Sequence, residues 1–213
     1  MKRIIFGFCV ALTLAPLTGA LALEKGRDYE VLPKPQPVEA GAKIEVREFF
    51  WYGCPHCSAL EGALESWIKR LPRNVEFVRT PATSSRWLVH AQAYYVFAAL
   101  DANAKTHTAL FRAIHEKNRR LDNEAALAEF AKEQGIDPAK FREAWGSFGV
   151  RFKMQQAKQT NEAFEVTSVP MFAVDGKYFT SPSMTGGEAQ MFAVLDQLVK
   201  KAALERPAQA EKR

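Results

Sequence analysis

The chain has 213 residues, 47% of them apolar and 25% charged, with 29 Lys and Arg against 24 Asp and Glu for a net charge of +5. That length suits one domain, or one domain carrying a large insertion, and the apolar content is ordinary for a globular core. The charge excess does not indicate nucleic-acid binding.

Lys2 and Arg3 precede an apolar run from Ile4 to Leu17, and Ala20-Leu21-Ala22 then supplies a small-x-small cleavage pattern. Residues 1–22 are therefore expected to be a signal peptide, cut near Ala22. The apolar run is shorter than the ~20 residues a membrane-spanning helix needs. Cleavage would remove Cys9 and leave 27 Lys and Arg against 24 Asp and Glu, a net +3. Export implies an oxidising compartment, where two remaining cysteines can pair.

From Leu23 to Gly41 the chain is Pro-rich and extended, with Tyr29 to Leu32 a short edge strand. Lys43 to Phe50 reads as a strand, followed by Cys54-Pro55-His56-Cys57 and a helix over Ser58 to Leu71. Leu60, Leu64, Trp67, Ile68 and Leu71 share one helix face at spacings of three and four. Val75 to Arg79 is the next strand, expected to run parallel to the first. Helices then follow over Leu88–Leu100, Thr106–Asn118 and Asn123–Gln134. Asp137-Pro138 opens a fourth, as an N-cap with proline at the first helical position, and Phe148 to Glu162 forms a fifth. Leu88, Tyr94, Tyr95, Phe97 and Phe111 are read as the core of this helical block. Met171 to Val174 and Lys177 to Phe179 flank Asp175-Gly176, a two-residue hairpin signal. Gly187 to Leu204 is a final amphipathic helix, and residues 205–213 form a polar tail expected to be disordered.

The order β-α-β, a helical block, then β-β-α predicts an α/β sheet domain interrupted by an all-helical insertion. With Cys-x-x-Cys at the first strand-to-helix turn, this is the thioredoxin-like pattern. The expected boundaries are 23–82 and 163–204 for the sheet domain and 83–162 for the insertion.

The cysteine spacing favours redox chemistry over a structural staple. A disulfide closing a four-residue ring removes little entropy from the unfolded chain. Zinc would need further ligands, whereas His90, His107 and His115 are scattered in sequence and no second cysteine pair exists. Cys54 is placed at the N-cap and Pro55 at the first helical position, where a missing N–H costs nothing. The N–H groups of His56 and Cys57 then face the Cys54 sulfur, and His56 can add positive charge; each favours a thiolate. Only the reduced state contains that thiolate, so stabilising it makes the disulfide an oxidant.

Glu48 through Cys57 (Glu-Phe-Phe-Trp-Tyr-Gly-Cys-Pro-His-Cys), the helical block, and Val169-Pro170 before the hairpin together resemble the DsbA family of periplasmic thiol:disulfide interchange proteins. The likeness covers roughly Tyr29 to Lys201. It implies a thioredoxin fold with an inserted helical domain, and donation of a Cys54–Cys57 disulfide to unfolded or reduced exported proteins. It further implies re-oxidation by a quinone-linked inner-membrane partner of the DsbB type, a periplasmic location, no metal and no cofactor. The oxidising direction of the couple is itself a property that the family implies. Cys54 is then the exposed sulfur attacked by substrate and Cys57 its buried partner. Val169, ahead of a Pro170 in the cis form, would pair with an extended substrate.

The resemblance also suggests that Glu48, on a strand expected to be buried, tunes Cys57 and relays protons. Alternation along the strand would instead turn it to solvent. Arg79 falls where the family often carries lysine, which puts the usual acid–lysine pairing in doubt. Glu61 is read as a surface charge. Trp51 and Tyr52 are read as an apolar substrate rim, with burial in the core as the alternative. No dimerisation module precedes the redox motif, so a monomer is expected and the usual isomerase layout disfavoured. An isomerase or reductase of the same fold, and a chaperone or metal carrier using the same groove, are the competing classes.

Overall fold

A computed structural model describes residues 23–206. The expected signal peptide, including Cys9 and the cleavage pattern, and residues 207–213 of the expected tail lie outside the described residues. Glu205 and Arg206 are not a disordered tail as expected, because Glu205 ends the last helix and the Arg206 guanidinium pairs with Asp175.

Five strands form one mixed sheet. They are β1 (Glu30–Val31), β2 (Ile44–Phe50), β3 (Val75–Pro81), β4 (Met171–Val174) and β5 (Tyr178–Thr180), in the order β1-β5-β4-β2-β3. β2 runs parallel to β3, as the intervening helix requires, and every other neighbouring pair is antiparallel. The β4–β5 turn places Asp175 at φ 54° and Gly176 at φ 65°, the left-handed pair of a type I′ hairpin. A Cβ on Gly176 would also stand 2.0 Å from the Gln36 carbonyl oxygen, so glycine is required twice over.

Helix α1 (Pro55–Ile68) joins β2 to β3. Between β3 and β4 lie a single 3₁₀ turn (Ser85–Trp87) and helices α2 (Leu88–Ala99), α3 (Asn103–His115), α4 (Glu124–Glu133), α5 (Pro138–Trp145) and α6 (Phe148–Ala163). After β5 come a one-turn α7 (Pro182–Thr185) and α8 (Glu188–Glu205). Side-chain oxygens cap three of the inserted helices: Asn123 accepts from Ala126 N–H at 3.0 Å, Asp137 from Ala139 N–H at 2.8 Å and Ser147 from Val150 N–H at 3.2 Å. α3 starts three residues before the expected Thr106, at Asn103. Its N-cap is Ala102, which offers no side-chain acceptor to signal the start, and the Thr106 hydroxyl donates back to the Ala102 carbonyl at 3.0 Å. α7 was not expected, although Ser181-Pro182 repeats the cap-then-proline signal of Asp137-Pro138.

The core has two main parts. Val46, Phe172 and Val174 on one sheet face pack with Leu60, Leu64 and Trp67 of α1 and Leu195 and Leu198 of α8. Phe50, Tyr52, Cys54 and Cys57 pack instead with the helical block, among Phe97, Leu110, Phe111 and Phe130. The redox turn is thus wedged between the sheet and the inserted helices. Leu88, expected in that core, is 42% exposed; it stands at the first position of α2 and projects outward. Phe97 and Phe111 are buried as expected, and Tyr94 and Tyr95 are half-buried.

Candidate active site

β2 delivers the chain through Trp51, Tyr52 and Gly53 to Cys54, the N-cap of α1, with Pro55 at the first helical position. Cys54 N–H donates to the Trp51 carbonyl at 2.9 Å and its own carbonyl accepts from Ser58 N–H at 3.1 Å, which ties the loop to the first turn. Gly53 is needed for space, because a Cβ there would approach the Trp51 ring to 2.3 Å.

Cys54 is 6% exposed and Cys57 fully buried. The Cys54 pKa falls to about 6. The foremost cause is a hydrogen bond from the Cys57 thiol; burial opposes it, and the N–H groups of Cys57 and His56 assist. The His56 charge acts in the same direction and is the smallest of these effects, as suits an exposed side chain. The expected contributions of the helix N–H groups and of His56 all act in the expected direction, and the partner thiol, which the sequence reading did not count, leads them. Burial pushes the Cys57 thiol far up, aided by its bond to Cys54 and by the Glu48 charge. The peptide bond between Val169 and Pro170 is cis, and the Val169 carbonyl oxygen lies 3.5 Å from the Cys54 sulfur, which donates to it only as a thiol. Val169 is half-buried and Pro170 buried.

Beneath the cysteines lies a charged cluster that the sequence reading missed in part. Glu48 is fully buried, so the solvent-facing alternative is excluded. Parallel register sets it beside Arg79, whose Nε donates to Glu48 Oε2 at 3.1 Å. The doubt raised by Arg79 is resolved, since its guanidinium reaches the acid. Burial raises the Glu48 pKa to about 8 against the opposing pull of Arg79.

Glu61 is not the surface charge expected. It is 4% exposed, 3.8 Å from Arg79 Nη2 and 3.3 Å from His107 Nε2. Its position was legible in principle, because residues 57, 60, 61 and 64 share one helix stripe and all are buried. Glu48 Oε1 and Glu61 Oε2 are buried without a hydrogen-bond partner among the described residues.

Tyr52 is also corrected. It is fully buried and cannot touch substrate as part of a rim. Its hydroxyl bonds His107 Nδ1 at 2.9 Å, while its carbonyl accepts from His115 Nε2 at 2.8 Å. The His90 ring lies edge-on to it, with centroids 6.2 Å apart. The three histidines that look scattered in sequence thus converge on Tyr52. Burial lowers the His107 pKa. A neutral ring protonated at Nε2 donates to Glu61 and accepts from Tyr52, satisfying both nitrogens. Trp51 is half-buried and stacks on Trp87 with centroids 5.2 Å apart, beside the redox turn. Among the described residues, no group of three or more His, Cys, Asp or Glu is arranged to hold a metal.

The family model for DSBA-like thioredoxin domains matches residues 74–199. The thiol:disulfide interchange protein DsbA of Azotobacter vinelandii is 37% identical, over 98% of this chain and all of its own length. That of Burkholderia cepacia is 38% identical, over 94% of this chain and 97% of its own. This chain belongs to the DsbA family. The crystal structure of Pseudomonas aeruginosa DsbA superposes with a TM-score of 0.80 at 37% identity, covering 85% of this chain and 96% of that one. The family match begins downstream of both cysteines, so the likeness at the redox turn is carried by relatives that span nearly the whole chain. This DsbA-family protein is accordingly a thiol:disulfide oxidoreductase with a thioredoxin-like α/β fold and a helical insertion.

Proposed function

We propose that this DsbA-family protein is a periplasmic dithiol oxidase. It donates the Cys54–Cys57 disulfide to reduced, unfolded exported proteins and is re-oxidised by a quinone-linked inner-membrane partner. The observation that carries the reading is the asymmetry of the two sulfurs: Cys54 is held as an anion with a pKa of about 6, while Cys57 is buried and its thiol held protonated.

The steps balance. A substrate thiolate attacks Cys54 Sγ; a substrate–Cys54 disulfide forms, the Cys54–Cys57 bond breaks and Cys57 leaves with the electron pair. Glu48, buried below with a raised pKa, is suited to supply the proton that Cys57 then takes up. A second substrate thiolate attacks the substrate sulfur of the mixed disulfide. Cys54 leaves as a thiolate, a low-pKa leaving group, and the substrate departs with its own disulfide. The Val169 backbone, beside Cys54, is suited to pair with an extended substrate segment as an added strand. Trp51 is kept as a rim residue. The division into residues 23–82 with 163–204 and a helical insert over 83–162 belongs to the same proposal.

The test is oxidation of a reduced, unfolded protein by the oxidised chain, with Cys54→Ser as control, together with a titration against glutathione. Turnover lost in Cys54→Ser and a couple readily reduced by glutathione are expected. Binding without turnover, or a disulfide that glutathione hardly reduces, would overturn the oxidase reading.

A further inference from the structure

A cavity of about 640 Å³ lies apart from the cysteines, between the outer strand β3 and helices α2 and α6. Its walls include Phe77 and Val78 of β3, Tyr94 and Tyr95 of α2, and Val150 and Phe152 of α6. Phe152 is 52% exposed and stacks on the ring of Phe148, itself 75% exposed, so the two form an exposed apolar pair. A second recess of about 390 Å³ shares Glu39, Arg47 and Lys153 with the first, so three charged groups gather where the two meet; Arg79 lines the first alone and is held by Glu48 and Glu65.

Arg47 is the built part of this region. It is 3% exposed, and its guanidinium donates to Glu45 at 2.9 Å, to the Thr80 hydroxyl at 2.6 Å and to Glu39 at 2.9 Å. The first two partners belong to the sheet and fix the head group. The third does not: the Glu39 side chain is 66% exposed, on a segment outside the strands. An ion pair with so exposed a partner is weak, and its carboxylate can be exchanged for another. Lys153, at the same rim, is exposed and forms no ion pair among the described residues.

The volume is that of a small-ligand site, roughly 300–1,000 Å³, with apolar walls and a few convergent polar groups. A buried guanidinium with one displaceable carboxylate selects for another carboxylate, and the aromatic walls select for an apolar tail. We propose that this cavity binds an amphipathic carboxylic acid. Its carboxylate replaces that of Glu39 on Arg47 and reaches Lys153, while its tail lies against Tyr94, Tyr95 and Phe152. The site uses neither cysteine and does not depend on the oxidase reading.

The test uses decanoate as probe, with decanol as its neutral counterpart, titrated into the oxidised full chain and followed by amide chemical shifts. Saturable shifts are expected at residues 94, 95 and 152, with decanol at least about tenfold weaker for want of the charged hydrogen bonds. Glu39→Gln removes the competing carboxylate and should tighten decanoate. Lys153→Glu should weaken it, and Ala98→Trp, at an exposed position lining the cavity, should abolish it. All three variants should retain thiol oxidation, which shows that they are folded. The proposal is overturned if decanoate gives no saturable shifts, if decanol binds as tightly, if Glu39→Gln weakens binding, or if Ala98→Trp leaves it unchanged.

Discussion

Cys54 sits where three local donors converge, namely the Cys57 thiol and the N–H groups of His56 and Cys57, and they outweigh its burial. A pKa of about 6 makes the couple change its proton count there. Below that pH, reduction takes up two protons, and above it one. The midpoint potential should fall by ~60 mV per pH unit below the break and by ~30 mV above it, for a two-electron couple. Titration against glutathione from pH 4.5 to 8 checks this; a single slope throughout would mean that Cys54 is an ordinary thiol. Replacing His56 by Ser should raise the Cys54 pKa and make the couple more reducing. Because the His56 charge is the least of the contributing effects, the shift should stay below about one unit, or ~30 mV. The Cys-Pro-His-Cys turn was legible in the sequence because its chemistry is set within four residues of one helix start. That Cys57's thiol leads the pKa shift was not, since hydrogen-bond geometry between sulfurs has no sequence pattern.

At the scale of elements, β2, β3 and α1 enclose Glu48, Arg79 and Glu61 in one buried cluster. Removing the shared cation by Arg79→Met leaves Glu48 buried without its partner and Glu61 with only its bond to His107. A loss of roughly 3–5 kcal/mol in denaturant-induced unfolding is expected. Glu48 has its own pH signature. Its folded pKa, about 8, lies above its ordinary value near 4.5, so the stabilisation is complete below the ordinary value and is lost as pH rises through about 8. Oxidised protein, which has no Cys54 titration, should lose stability across that window, and Glu48→Gln should flatten the curve. An equally steep curve in the variant would remove Glu48 as the cause. Tyr52→Phe tests the junction between the redox loop and α3: losing the bond to buried His107 should cost about 1–3 kcal/mol. The strands and most helices were legible from apolar spacing and caps. α3 was misplaced because Ala102 gives no cap signal, and Glu61 was missed because a charged residue on an apolar stripe reads as surface until its partners are known.

Over the whole molecule, the thiolate links redox state to folding. A depressed pKa stabilises the folded reduced chain fully above the unfolded value, near 8.5, and the benefit is lost as pH falls through about 6. At pH 7 it amounts to about 1.4 kcal/mol, equivalent to ~30 mV. The stability of the reduced form relative to the oxidised form should therefore be about 1.4 kcal/mol greater at pH 7 than at pH 5, by paired denaturation curves. A difference that does not change with pH would detach the thiolate from the driving force.

By itself the sequence determined whatever depends on near neighbours: the redox turn, the proline-led helix starts, the Asp-Gly hairpin, the β-α-β order around a helical block, and the family these residues resemble. Tertiary structure alone decided that Tyr52 is buried, that Arg79 reaches Glu48 and Glu61, and that three histidines converge on the redox loop. The physical reason is separation along the chain. The contacts that join His107 to Glu61, His107 to Tyr52 and His115 to Tyr52 span 46, 55 and 63 residues. Only the packing of the helical block against the sheet brings such residues together, and periodicity, which runs over a few turns, carries no record of it.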